Sequence, residues 1–214
     1  IAHDRASQIR RLLCADRRAT AVANHTNQLG ATGNLFLDTL PRATAERFLP
    51  ELTLVHLPLG KILSNPGVPA EHMYFPIHSL ISTVSCMANG SAVEVAIAGL
   101  EGFSSMSFAF GSRVSPHTTI VQIADSAYRM NAESFMAEAT SDPTFRKRVA
   151  AYAEYAYLAA AQFAACNRLH SIEERYARWL LMAEDRVGEG EFTLTHEHSA
   201  QMPGVRRVGV TVAA

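Results

Sequence analysis

Arg206 and Arg207 stand side by side, followed by Gly209 and Thr211. A guanidinium can grip the O6/N7 edge of guanine or neutralise a phosphate, and a threonine can touch a thymine methyl or a phosphate. Their spacing from upstream residues suggests what would hold them. With His196 as the first position of a helix–turn–helix, Ala200 is fifth, where a small side chain lets two helices touch. Gly204 is ninth, at a turn that wants a positive φ, and Val205 and Val210 are tenth and fifteenth, facing the shared core. Arg206, Arg207 and Thr211 then lie outward near the start of the second helix, and Gln201 on the first is a candidate backbone contact. Double-stranded DNA is the partner this pattern suits. A plain helical hairpin with surface arginines has the same spacing and remains the alternative.

Other chemistry is sparse. His196 and His198 are two apart, so on a helix they face different sides and cannot share a metal as an i, i+4 pair would. The three cysteines, Cys14, Cys86 and Cys166, form no C-x-x-C, which argues against a disulfide framework or an iron–sulfur centre and for a reducing cytoplasm. Asp38 with His56, or Glu94 with Glu101, could be imagined as acid/base pairs, but no spacing rule supports either. No nucleophile elbow, Walker or dinucleotide-binding motif occurs, so the chain is expected not to be an enzyme and to carry no metal or cofactor. Asn24-His25-Thr26 and Asn89-Gly90-Ser91 match the glycosylation sequon and are read as chance matches.

The elements that must position the basic pair can be read from punctuation and period. At 214 residues, 48% hydrophobic and 18% charged, the chain can bury a core, and its net charge of -1 excludes a generally basic nucleic-acid coat. No apolar run of membrane-spanning length occurs. Both ends read as those of a fragment. Residues 1–34 form a polar, Arg-rich lead-in, and a short helix after Leu40-Pro41 should bury Phe48 and Leu49. Seven or eight short strands follow between residues 50 and 130, including a hairpin with Asn89-Gly90 as a type I′ turn; Gly99-x-x-Gly102 reads as a turn between strands. Such spacing suggests a roll, barrel or sandwich.

Helices come next. Asn131 should cap a helix through Ala139, and Asp142 with Pro143 should open one running to about His170. That helix carries Val149, Tyr152, Ala156, Ala159, Ala160, Phe163 and Cys166 near helical spacing. The stripe is expected to form a homodimer seam, with packing on the chain's own strands as the alternative. Ser171-Ile172-Glu173-Glu174 is a capping box for a helix that stops near Gly188.

The stretch Cys166–Arg175, then Ala177-Arg178-Trp179-Leu180-Leu181, Leu194-Thr195, Ala200-Gln201-Met202 and Gly204-Val205-Arg206-Arg207, resembles bacterial transcription regulators of the Crp/Fnr superfamily. Val93-Glu94-Val95, Gly99-Leu100-Glu101-Gly102 and Ser115-Pro116-His117 look like the sensor domain of one branch of it. The resemblance spans about residues 35–214. It implies an α+β chain: a cyclic-nucleotide-binding-like double-stranded β-roll sensor over 35–141, a dimerisation helix over 142–170, and an incomplete winged helix–turn–helix over 171–214. The function it implies is cytoplasmic, homodimeric, DNA-binding transcription regulation.

Three departures qualify that implication. Members that bind cyclic AMP carry Gly-Glu and later Arg-Ser/Thr-Ala in a phosphate cassette; the matching stretches here are Gly102-Phe103 and His117-Thr118-Thr119. The ribose-binding carboxylate and the phosphate-binding guanidinium are both replaced, so cyclic AMP is not expected, and an unknown small-molecule effector at these five positions, or none, is. Pro203 stands where the helix–turn–helix pattern wants a large aliphatic residue. The sequence stops before a recognition helix and wing would be complete. The last two departures favour the alternative function, a ligand-binding or protein-interaction module whose C-terminal head is degenerate and does not bind DNA.

Overall fold

The computed structural model of the chain describes residues 31–188. The described contacts begin inside the stretch read as lead-in. The Thr32 backbone N–H and hydroxyl both donate to Asp38 Oδ1 at 2.8 Å. Asn34, fully buried, caps α1 (Leu35–Asp38) by accepting from the Leu37 N–H at 3.1 Å. Its amide also donates to the carbonyls of Pro76 and Gly102, at 2.7 and 2.9 Å. One side chain thus starts a helix and ties it to two distant loops. Helix α2 (Arg42–Phe48) follows Pro41 and buries Phe48, whereas Leu49 is half-buried and opens a 3₁₀ turn.

Seven antiparallel strands form two sheets. One has the order β1 (Thr53–Leu57), β7 (Asp125–Asn131), β3 (His72–Pro76); the other has β2 (Ile62–Ser64), β6 (Thr118–Ile123), β4 (Leu80–Cys86), β5 (Ala92–Ala98). Leu57, Tyr74 and Ala127 from the first meet Ile81 and Val121 from the second, which fills the roll's interior with the chain's own side chains. The β4–β5 hairpin is where the sequence puts it, but its turn differs. Gly90 N–H donates to Met87 O at 2.9 Å and Met87 N–H to Ser91 O at 2.7 Å, and Gly90 alone of the turn has a positive φ, 81°. That is a type I turn closed by a glycine bulge, in a five-residue loop rather than a two-residue type I′ one. Asn89 instead accepts from the Ser91 N–H through its side chain.

Helices cover the outer face of each sheet. Met73, Phe75 and Met130 pack under α1, α2, α3 (Ala132–Ser141) and the first half of α4 (Pro143–Leu169), in a core rich in rings: Phe36, Phe48, Phe103, Phe135, Phe145 and Tyr152. Leu80, Ile97 and Ile123 pack under Phe163 of α4 and Trp179, Ala183 and Val187 of α5 (Ile172–Val187). The starts of α3 and α5 are chemically specified. Asn131 accepts from the Glu133 N–H at 2.7 Å, and Ser171 and Glu174 form the reciprocal capping box.

Of the stripe expected to be a dimer seam, Ala156, Ala159 and Ala160 are half-buried and the other four residues are buried within the chain. Val149, Tyr152, Phe163 and Cys166 are buried against the chain's own sheets. A second stripe on α4, with Leu158 61% and Leu169 76% exposed and Ala161 and Ala165 exposed between them, faces outward. No helix among the described residues is long and apolar enough to cross a membrane.

Asp142 carries a first prediction. Its Oδ1 accepts from the Thr144 and Phe145 N–H groups at 2.7 and 3.2 Å, and its Oδ2 accepts from the Thr44 hydroxyl and Arg47, both at 2.7 Å. Led by the Thr44 hydrogen bond, these donors hold its carboxyl down at about 2. A depressed folded value means the stabilisation is present above the unfolded value near 4 and is lost as pH falls toward 2. Asp142→Ala is expected to cost about 1–2 kcal/mol at pH 7, the usual range for a lost helix cap. In urea melts the gap to the unsubstituted protein should narrow at pH 2.5.

Candidate functional site: the joint between roll and helices

The turn after β5, Gly99–Gly102, closes with Gly102 N–H donating to Gly99 O at 3.2 Å. It is wedged between two helices. A Cβ on Gly99 would overlap the Arg186 side chain and lie 2.7 Å from its carbonyl oxygen, and a Cβ on Gly102 would overlap the Tyr152 ring. Glycine is therefore required here by the closeness of α5 and α4 rather than by an unusual φ.

Polar groups lock the same joint. Arg186 of α5 is only 5% exposed. It donates through Nε to Glu101 Oε1 at 2.9 Å, through Nη2 to the Tyr155 hydroxyl at 2.6 Å and through Nη1 to Met182 O at 3.2 Å. Glu101 Oε2 accepts from the Gly99 N–H at 3.1 Å, so one carboxylate braces both the turn and the helix. The Leu100 N–H donates to Arg186 O at 3.0 Å, and His78 donates from Nδ1 to Val187 O at 3.1 Å. Here α5 ends, at Gly188 with φ 86°. The turn and the last residues of α5 are therefore held together by both backbone and side-chain hydrogen bonds.

The five positions matched to the phosphate cassette have different surroundings. Gly102 faces Tyr152 of α4. Phe103 is 1% exposed, and its ring centroid lies 4.5 Å from Tyr152, 5.0 Å from Phe36 and 5.4 Å from Phe135. The Tyr152 hydroxyl donates to Phe103 O at 3.3 Å. Phe103 is thus a core ring, not part of an open pocket lining. His117 is half-buried; its backbone N–H donates to Ser115 Oγ at 3.1 Å, and its Nδ1 is buried without a hydrogen-bond partner. Thr118 is half-buried at the start of β6, and buried Thr119 accepts from Ser64 Oγ at 2.9 Å. Among the described residues no hydrogen bond or ring contact joins Phe103 to His117, Thr118 or Thr119. An open surface groove lined by Pro69, Arg113, Val114, Glu133 and Met136 includes none of the five.

Arg206, Arg207, Thr211, Gln201 and Pro203, with His196 and His198, lie outside the described residues. Among those described, no three His, Cys, Asp or Glu side chains gather as metal ligands would. Glu94 and Glu101 serve different partners and make no pair: Glu94 accepts from Ser82 and Trp179, Glu101 from Arg186. Of the joint residues, Tyr152 is marked in the sequence only by helical spacing and Trp179 by spacing and the family resemblance, and nothing marks Arg186. The one available signal was two glycines bracketing an acidic residue directly after an alternating strand.

No family model and no curated protein matches the sequence. Solved structures do match the fold. The c-di-GMP-responsive global regulator CLP of Xanthomonas campestris aligns over 81% of this chain and 89% of its own, at 14% identity and a TM-score of 0.63. A protein assigned to the Crp/Fnr family of transcriptional regulators, from Eubacterium rectale, aligns over 86% of each chain at 16% identity and 0.62. A CRP-family transcriptional regulator from Thermus thermophilus aligns over 74% of this chain and 81% of its own, at 15% identity and 0.60. At such identities the likeness is one of fold: the α+β, cyclic-nucleotide-binding-like arrangement these regulators share.

Proposed function

We propose that this chain is a DNA-binding transcription regulator of the Crp/Fnr type, in which a β-roll controls a helix–turn–helix. One observation carries the reading: α5, docked on the roll through the 99–102 turn, ends at Gly188, directly before the segment whose spacing fits a helix–turn–helix. The likeness in fold to solved regulators supports it. The division into lead-in (1–34), sensor (35–141), dimerisation helix (142–170) and partial reading head (171–214) belongs to this proposal. So do a cytoplasmic site of action, a binding rather than catalytic role, and a second copy of the chain as partner. The exposed stripe Leu158, Ala161, Ala165, Leu169 suits that second copy, because its small residues let a facing helix approach.

The roll would bias the pose of α5 and of the paired helices, and so decide whether two recognition helices match half-sites about 34 Å apart. Cyclic AMP does not suit the cassette positions. Phe103, in the aromatic core, stands where a carboxylate would meet the ribose, and His117 stands where a guanidinium would meet the phosphate. The effector, if one acts, is of another chemical kind.

The test is DNA binding by the full chain across a salt series with palindromic duplexes. Affinity should fall linearly on a log–log plot. The double variant Arg206→Ala/Arg207→Ala should lose at least about tenfold in affinity and lower the salt slope by about two. Unchanged affinity in that variant would remove the two arginines from the interface. Pro203 favours the second reading, a ligand-binding or interaction module with a degenerate head, which instead expects ligand-dependent thermal stabilisation without any DNA binding.

A further inference from the structure

A second polar contact holds α5 to the roll, and it contains a buried acid. Glu94 lies in β5 and is 2% exposed. Its Oε2 meets Ser82 Oγ of β4 at 2.5 Å, and its Oε1 accepts from Trp179 Nε1 of α5 at 3.0 Å. Next to Trp179 on α5 is Arg178. Its guanidinium lies over the Phe163 ring of α4, 4.4 Å from the centroid, and its Nε and Nη1 are buried with no hydrogen-bond partner. The other cation acting on Glu94, Arg186, is already committed to Glu101, Tyr155 and the Met182 carbonyl.

A buried carboxylate with two neutral donors and no counter-ion is costly; it either keeps its proton or draws in a cation. We propose that Glu94 is a proton-operated coupling between the β-roll and α5, with Arg178 as the responding group. In the neutral state the Glu94 hydroxyl donates to Ser82 Oγ, its carbonyl oxygen accepts from Trp179, and Arg178 stays on the Phe163 ring. On ionisation the proton leaves to solvent and Ser82 turns to donate. Arg178, with two free donors, then moves from the ring toward the carboxylate and takes its stretch of α5 with it. Trp179 keeps its acceptor in both states, so α5 shifts while remaining docked.

The geometry agrees with the titration expected of the group. Burial, opposed by the Ser82 and Trp179 hydrogen bonds and by Arg178 and Arg186, pushes the Glu94 carboxyl up to about 7. Both charge states are therefore populated near neutrality. Because the folded value lies above the unfolded one, the neutral state favours folding most at low pH, and that advantage is lost as pH rises through about 7.

Trp179 is the only tryptophan in the chain, so its fluorescence reads this contact directly. In the full chain, titrated from pH 5.5 to 8.5, its emission should change as a single proton transition centred near 7. Glu94→Gln, which keeps an oxygen for Trp179, should abolish the transition. Arg178→Gln should raise its midpoint by about one unit, since a cation that favours the carboxylate is gone. His78→Gln, which alters the titratable ring bonded to Val187 O, should leave it unchanged. The inference is overturned by a flat trace in the unsubstituted protein, by a transition surviving in Glu94→Gln, or by an unmoved midpoint in Arg178→Gln. A second arm rests on the regulator reading: the ratio of DNA affinities at pH 6 and pH 8 should change at least about threefold less in Glu94→Gln. Absence of DNA binding at both pH values counts against the regulator reading, while the fluorescence arm still decides the coupling.

Discussion

Phe103→Glu will unfold the sensor rather than supply a ribose-binding carboxylate. By alignment alone the substitution restores a cassette residue. In the fold, position 103 is enclosed by the rings of Phe36, Phe75, Phe135 and Tyr152. Losing the phenylalanine costs about 3–5 kcal/mol in lost burial and cavity. The carboxylate must then either remain charged in an aromatic core or take up a proton, which adds several kcal/mol. The total matches or exceeds the ~5–15 kcal/mol that holds a typical domain together. Thermal melts followed by circular dichroism should show no cooperative transition at 25 °C or above, and cyclic AMP should not rescue one. A folded variant with an unshifted melting temperature would mean that Phe103 lines an open pocket after all.

Arg186→Met should lower stability by about 3 kcal/mol, near the lower end of the range for breaking a buried ion pair, because Glu101 keeps some solvent contact. Methionine preserves the aliphatic stem against Gly99, so the loss reports the charge and not the packing. It leaves Glu101 without its cation and removes the bonds to the Tyr155 hydroxyl and Met182 O. Adding Glu101→Gln to the same variant should recover part of the loss, since an amide tolerates the site without a counter-charge. Urea unfolding of the two single variants and the double variant measures the coupling directly. If the single-variant losses simply add, the pair contributes nothing specific to the joint.

Much of the architecture follows from local chemistry. Asn131, Asp142 and Ser171 each announce a helix because their side chains satisfy backbone donors a few residues ahead, and all three caps are formed. The β4–β5 hairpin is likewise a local event, signalled by two alternating runs around Asn89-Gly90. The turn type was less legible, since Asn-Gly suits a positive φ at both residues and only Gly90 adopts one; loop length and side-chain capping by Asn89 select the other geometry. Helix α1 was missed because one turn of helix has no periodicity to detect, and its stability comes from Asn34 bonding to loops 42 and 68 residues away.

The candidate site was legible only in part. The cassette positions could be found by resemblance, but their state depends on what α4 places against them. Tyr152 and Phe103 are unremarkable in sequence, and it is their contact that closes the position.

 The physical content of that contact is a ring-to-ring distance of 4.5 Å and a hydrogen bond from the Tyr152 hydroxyl to Phe103 O, both made between residues 49 apart in the chain. Glu94 is similar: an acidic residue in an alternating strand reads as solvent-facing, yet α5 covers it and turns it into a buried acid.

Local patterning, then, was enough for the succession of strands and capped helices, because caps, turns and periods act over a few residues. Which residues of α4 are buried, whether Phe103 is enclosed, and which charges meet at the 99–102 turn were settled by packing between distant segments. Of the stripe Val149, Tyr152, Ala156, Ala159, Ala160, Phe163 and Cys166, it is the packing of distant segments on α4 that buries Val149, Tyr152, Phe163 and Cys166, which helical spacing alone does not specify.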